Sequence, residues 1–176
     1  MALVLNGSGS ITGLSAGGLP DGSVTADDIA SLPAGSVIQV VHSTYSTEVS
    51  GTAGSEVFTG ISASITPTLS SSKILVIFNG EVDTTGTKSN FAIHVYLRRG
   101  TTTGATLLTL QRNGHYHGTT ITAEMFSSQS FNYLDSPNTT SAVTYGIFVS
   151  NVDGSPLWRF NATSSKSEFT FLEIAA

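Results

Sequence analysis

The chain has no cysteine, which excludes disulfides, thiolate catalysis and cysteine-based zinc sites. Charge is scarce as well: Lys and Arg total 7, Asp and Glu 12, and the formal net charge is −5. The cations are scattered apart from Arg98-Arg99, so there is no basic stripe to neutralise phosphates and nucleic-acid binding is not expected. Long apolar runs are missing too. The longest, Ile74-Leu75-Val76-Ile77-Phe78, falls far short of a membrane span, and no membrane insertion is expected. Met1-Ala2-Leu3-Val4-Leu5-Asn6 lacks a basic segment and its apolar run stops at once, so no signal peptide is expected. Together with the lack of cysteine, this leans toward a protein assembled inside a cell.

Ser and Thr supply the polarity that charge does not, at roughly a quarter of the residues. Branched Thr suits a pleated surface, whereas Ser, Asn and Gly suit turns. The composition shifts near residue 35. Residues 1–35 are rich in Gly and carry no Lys or Arg, and such a segment buries too little apolar area to offset its ordering entropy alone. It is expected to be a docking arm that lies on another surface, with Leu3, Leu5, Ile11, Leu14, Leu19, Ile29 and Leu32 as its apolar contacts. Within it, Thr25 as cap, Asp27 and Asp28 in the first turn and the Ile29/Leu32 pair predict a short helix, closed by Pro33 and a hinge at Gly35.

From Ser36 to Ala176 the pattern has period two, as expected of a β head domain. Nine strands are predicted: Val37–Ser50, Ser55–Thr66, Lys73–Asp83, Asn90–Arg99, Ala105–Arg112, Thr122–Leu134, Ala142–Asn151, Pro156–Ala162 and Glu168–Ile174. Thr85-Gly86-Thr87, Asn113-Gly114 and Asp135-Ser136-Pro137-Asn138 are read as turns between them. Strands at this spacing without intervening helices predict an all-β antiparallel sandwich, and about eight strands fit a jelly roll. Phe78, Phe91, Tyr133, Tyr145, Phe148, Trp158, Phe169 and Phe171 are the expected aromatic core. Leu172 and Ile174 are expected to pack the last strand.

His115-Tyr116-His117 is the sharpest local signal for chemistry. In an extended segment residues i and i+2 share a side, so both imidazoles could meet one metal, and three copies about a threefold axis would offer six nitrogens. Two ligands are weak evidence for a metal. The same residues, in the loop Asn113–Gly118, suit a sugar-contacting tip, or simply an exposed loop. His94 shares a face with Tyr96 and Arg98 and is expected on an outer sheet surface. Glu81, Asp83 and Glu124 flank apolar strands and in principle offer a carboxylate pair. No nucleophile, base and orienting group can be picked out, so no catalytic residues and no cofactor are assigned.

Several stretches resemble a β-sandwich module of tail-fibre-like and other virion appendage proteins of tailed phages, especially marine ones. They are Gly35-Ser36-Val37-Ile38-Gln39-Val40-Val41, Ile61–Pro67, Ser71–Val76, Leu97-Arg98-Arg99-Gly100-Thr101, Tyr133–Pro137, Thr139–Tyr145 and the closing Phe171–Ala176. Gly18–Val24 resembles the start of such proteins. The resemblance implies a homotrimer with a C1q/TNF-like jelly-roll head, placed on the virion surface after assembly in the bacterial host cytoplasm. The resemblance does not by itself separate tail fibre from capsid; the expected role is a non-enzymatic tail-fibre-like or knob protein, docked through its arm to other virion proteins and displayed toward host surface polysaccharide. Only Pro33-Ala34-Gly35 separates arm from head, with no repetitive shaft, which keeps a capsid decoration protein as the alternative.

Overall fold

The structure is a computed structural model, and its described residues are 32–52, 54–102, 105–153 and 156–176, with the backbone alone for 88–91, 115–118, 121, 123 and 153. The arm positions Leu3, Leu5, Ile11, Leu14, Leu19 and Ile29 and most of the expected helix lie outside them; Leu32 is described and is 41% exposed. Pro33–Ala176 forms one compact unit. It holds eight strands: β1 (Val37–Tyr45), β2 (Val49–Gly51), β3 (Val57–Ile65), β4 (Lys73–Arg99), β5 (Thr106–Asp135), β6 (Val143–Asp153), β7 (Leu157–Phe160) and β8 (Ser167–Ile174). Every pairing is antiparallel.

The organising element is the β4–β5 hairpin, 27 residues against 30. Along its other edge β4 meets three strands in succession: β8 over Lys73–Asn79, β7 over Val82–Thr85 and β6 over Ala92–Arg99. β1 extends the first end beyond β8, and β3 extends the second beyond β6. The Pro33–Ala176 unit thus has two four-stranded wings, β5-β4-β8-β1 and β5-β4-β6-β3, joined by one long ribbon. Their inner faces share a single core containing Ile74, Val76 and Phe78 from the first wing and Ile93, Val95, Leu97, Tyr145 and Ile147 from the second, all buried. Each such side chain contributes on the order of 1.5–3 kcal/mol by leaving water. This is the expected all-β antiparallel sandwich.

Two expected turns are not turns. Thr85-Gly86-Thr87 and Asn113-Gly114 run inside β4 and β5, so four of the nine predicted strands merge into two. Their residue types suit turns, but cross-strand hydrogen bonding carries the ladder through them. The irregularity that the sequence suggests is instead a bulge. Between the pairs Lys88/Ile121 and Asn90/Tyr116, β4 advances two residues (88 to 90) while β5 advances five (121 to 116). The inward residues change from even (Ile74, Val76, Phe78, Val82) to odd (Ile93, Val95, Leu97) across this point, as insertion of extra residues into a ladder permits.

The core list also needs correction. Phe78, Tyr145, Trp158, Phe169 and Phe171 are buried in it, but Tyr133 is 36% exposed at the free edge of β5, and Phe148 is buried on the opposite face of its sheet. The Phe91 side chain lies outside the described set. Trp158 is covered by β2, where a Cβ on Gly51 would sit 2.7 Å from its ring. Only glycine lets the backbone pass that close. On β8 the expected pattern is reversed. Phe169, Phe171 and Glu173 point inward, while Leu172 and Ile174 point out.

Candidate interaction surfaces

Glu173 is fully buried without a cation beside it. Burial alone would push its carboxyl up, but donors outweigh that and hold it below the usual carboxylate range. They are Gln39 Nε2 at 2.5 Å, Thr68 N–H at 2.8 Å, Thr68 Oγ1 at 2.8 Å and Leu69 N–H at 3.2 Å. Gln39 also donates to the Thr66 carbonyl at 2.8 Å. Glu173 therefore fastens the loop between β3 and β4 onto β1 and β8.

Asp135 ties the wings together. It ends β5 in the first wing and takes Arg99 Nε at 2.7 Å and Arg99 Nη2 at 2.5 Å from the end of β4 in the second. Tyr145 Oη donates to it at 2.9 Å and the Ser136 N–H at 2.9 Å. The hydrogen bond to Asp135 raises the Arg99 pKa, and burial beside the same carboxylate raises that of Tyr145. Asp83 and Glu124 share Arg159, whose pKa the Asp83 hydrogen bond raises. These four carboxylates each face an arginine or a fan of donors, which is the arrangement of a strand clamp and not of an acid/base pair poised around a cleft.

The outer faces of the wings differ more than their cores. On the second wing one cross-strand row reads Phe58, Phe148, Tyr96, Leu110, from β3 through β6 and β4 to β5. The Phe58 and Phe148 rings pack at a tilt with centroids 5.2 Å apart. Arg98 Cζ lies 5.4 Å from the Tyr96 ring centroid and 5.8 Å from that of Phe148. The guanidinium is anchored by Glu56 at 2.5 Å and by the Ala105 carbonyl at 2.7 Å. Tyr96 Oη bonds Ser150 Oγ at 2.9 Å. The chain covers its own aromatic row, and Phe148 has no exposure left. His94 is on this face, as expected, edge-on to Tyr96 at 5.8 Å.

On the first wing the corresponding row is aliphatic: Val40, Leu172, Leu75, Leu134, from β1 through β8 and β4 to β5. Val40 is 60% and Leu134 48% exposed. The neighbouring row adds Val37, 50% exposed, opposite Ile174. A register shift at Ile38 lets Val37 and Val40, three residues apart, share the outer face. Farther along the strands the face turns polar and satisfies itself. His42 Nδ1 meets Thr170 Oγ1 at 3.0 Å and Ser130 Oγ donates to Asn79 Oδ1 at 2.9 Å. Nothing in the described residues caps the aliphatic end. No feature of residue type announces these rows; they exist only once the strand register is known.

The expected ligand loop is strand. His115 lies opposite Phe91 and Tyr116 opposite Asn90, where β5 bulges, and the side chains of His115, Tyr116 and His117 lie outside the described set. Among the described residues no three His, Asp or Glu side chains are placed to hold a metal ion. No described helix is long and apolar enough to cross a membrane.

No protein-family model and no curated protein matches the chain. Among solved structures it is similar to that of the infectious bursal disease virus Gx strain, at 16% identity and a TM-score of 0.41, over 77% of this chain and 32% of that one. It is also similar to the infectious bursal disease virus VP2 subviral particle, at 13% identity and a TM-score of 0.34, over 80% of this chain and 39% of that one. The chain thus spans well under half the length of either. At these scores the likeness carries no functional argument.

Proposed function

We propose that this chain is a non-enzymatic virion structural protein of a tailed phage. Its arm, residues 1–35, docks on other virion proteins, and its head, residues 36–176, is displayed as a homotrimer for recognition of host surface polysaccharide. The observation that carries this is how the head uses its polar groups: Asp83, Asp135 and Glu173, each at most 3% exposed, serve to lock strands and wings together. A sandwich spent on rigidity, with a Ser- and Thr-rich exterior, suits a building block. The resemblance of Gly35–Val41, Thr139–Tyr145 and Phe171–Ala176 to virion appendage heads supports the phage setting. Display in several copies lets weak glycan contacts sum to useful avidity. The backbone of β5 leaves regular pairing directly after Tyr116, over residues 117–120, and His115-Tyr116-His117 at this point is the proposed contact with sugar.

A capsid decoration role is the second reading. The short junction Pro33-Ala34-Gly35 favours it: Gly35 N–H already bonds the Ala175 carbonyl at 2.8 Å, leaving no shaft to hold the head away from the surface below. Quantitative mass spectrometry of purified virions separates the readings. A handful of copies per particle, with labelling of host cells by the purified chain, is expected of the knob. Dozens to hundreds of copies without cell labelling would replace it with decoration. Absence from virions would overturn both.

A further inference from the structure

We infer that the aliphatic outer face of β5-β4-β8-β1 is where copies of this chain meet, about a rotation axis parallel to its strands. The inference rests on the homotrimer reading above and names the surface that reading needs.

The first reason is the gradient along the strands. The Val37/Ile174 and Val40/Leu172/Leu75/Leu134 rows form an apolar end, and the rows through His42 and Thr44 form a polar end already bonded within itself. Rotation about an axis parallel to the strands leaves height along them unchanged. Each row then meets the same row of its neighbour, apolar against apolar, and aligned sheets pack in this way. An axis perpendicular to the strands through the middle of the face would set aliphatic residues against His42 and Glu168.

Charge is the second. The chain carries a net charge of −5, so copies repel in general. On this face the rows that run through β8 carry Lys73, beside Ile174, and Glu168, beside Asn79, one of each sign, with Glu81 two residues beyond Asn79 at the polar end. The apolar end of this face thus adds no like-charge repulsion of its own. On the other wing Arg98, held by Glu56, already covers Tyr96 and Phe148, and Leu107 and Leu110 on the edge strand stay exposed there.

Area sets the strength. Four strands about 4.8 Å apart and four side-chain rows about 6.8 Å apart span roughly 500 Å². A standard interface buries about 800 Å² per partner. Association through this face is therefore reversible and concentration-dependent.

The test is sedimentation of the full chain from about 1 μM to several hundred μM, a range that brackets weak interfaces, with Val40→Glu, Leu134→Glu and, as control on the other wing, Leu110→Glu. The expected result is an apparent mass rising from 18.2 kDa toward that of three copies. It should weaken at least roughly tenfold in the first two variants and stay unchanged in the third. Unfolding midpoints near wild type at low concentration certify that the variants fold, since all three positions are exposed. A trimer indifferent to Val40→Glu and Leu134→Glu overturns this face and leaves the trimer standing. A dimer abolished by them keeps the face and removes the threefold reading. A monomer at every concentration overturns both.

Discussion

The two wings solve one problem in opposite ways. Each lays a four-residue apolar row across the outside of its sheet, in the same relation to the shared core. On the β6-β3 side the row is aromatic but for Leu110 at the edge, and the chain seals its centre: Arg98 lies over Tyr96 and Phe148, and Glu56 holds Arg98 in place. On the β8-β1 side the row is aliphatic and stays open, with Val40 60% exposed. Burial is therefore no guide to which face of a strand points into the core. Phe148 is as buried as Phe78 without belonging to the same cluster. A face the chain has closed is finished, and an open one of similar make-up is available to a partner.

The largest expected effect breaks the closed side. Phe148→Ala should cost about 3–5 kcal/mol, as much as loss of a core phenylalanine. Leu134→Ala on the open side should stay within about 0.5 kcal/mol for the isolated chain. Urea unfolding at low concentration measures both, and equal costs would erase the contrast between the faces. Next is the bond between the wings. Asp135→Asn keeps the shape but removes the charge that Arg99 and Tyr145 share, and should cost about 2–3 kcal/mol in the same assay. Glu173→Gln should cost about 1–2 kcal/mol near neutral pH. Because its folded-state pKa is lowered, Glu173 stabilises fully above the unfolded carboxyl value of about 4.3, and that contribution fades as pH falls through the folded value. The gap between wild type and Glu173→Gln should therefore narrow as pH falls below about 4; a gap that widens would contradict the donor arrangement. The smallest effect is uncapping. Arg98→Ala should cost about 1 kcal/mol, the pair with Glu56 being partly exposed, and should raise reactivity at Tyr96 toward a phenol-specific label while leaving Tyr133 unchanged.

Much of the head is legible in the sequence because alternation is a local signal. The Phe91-to-Leu97 segment and Val57 to Ile65 both fall in strands, Trp158 and Phe160 share the core, and His94 lies outside. What escapes is whatever depends on pairing. Thr85-Gly86-Thr87 has turn chemistry, yet it remains extended because β5 supplies partners on both sides of it. Leu172-Glu173-Ile174 suggests two buried aliphatics around an exposed acid. The parity set by Phe169 and Phe171 inverts this, and the loop donors Thr68 and Leu69 make a buried carboxylate tolerable. The candidate surface shares this dependence, since Val40, Leu172, Leu75 and Leu134 lie far apart in the chain and become neighbours only through register.

Photochemical carbene footprinting of the full chain at low and high concentration bears most directly on the difference between the wings. At low concentration Val40 and Leu134 should label strongly and Phe148 hardly at all. At high concentration labelling of Val40 and Leu134 should fall severalfold while Leu110 and Phe58 stay constant. Constant labelling of Val40 and Leu134 in a sample shown to be oligomeric, or protection confined to Leu110 and Phe58, would contradict the account.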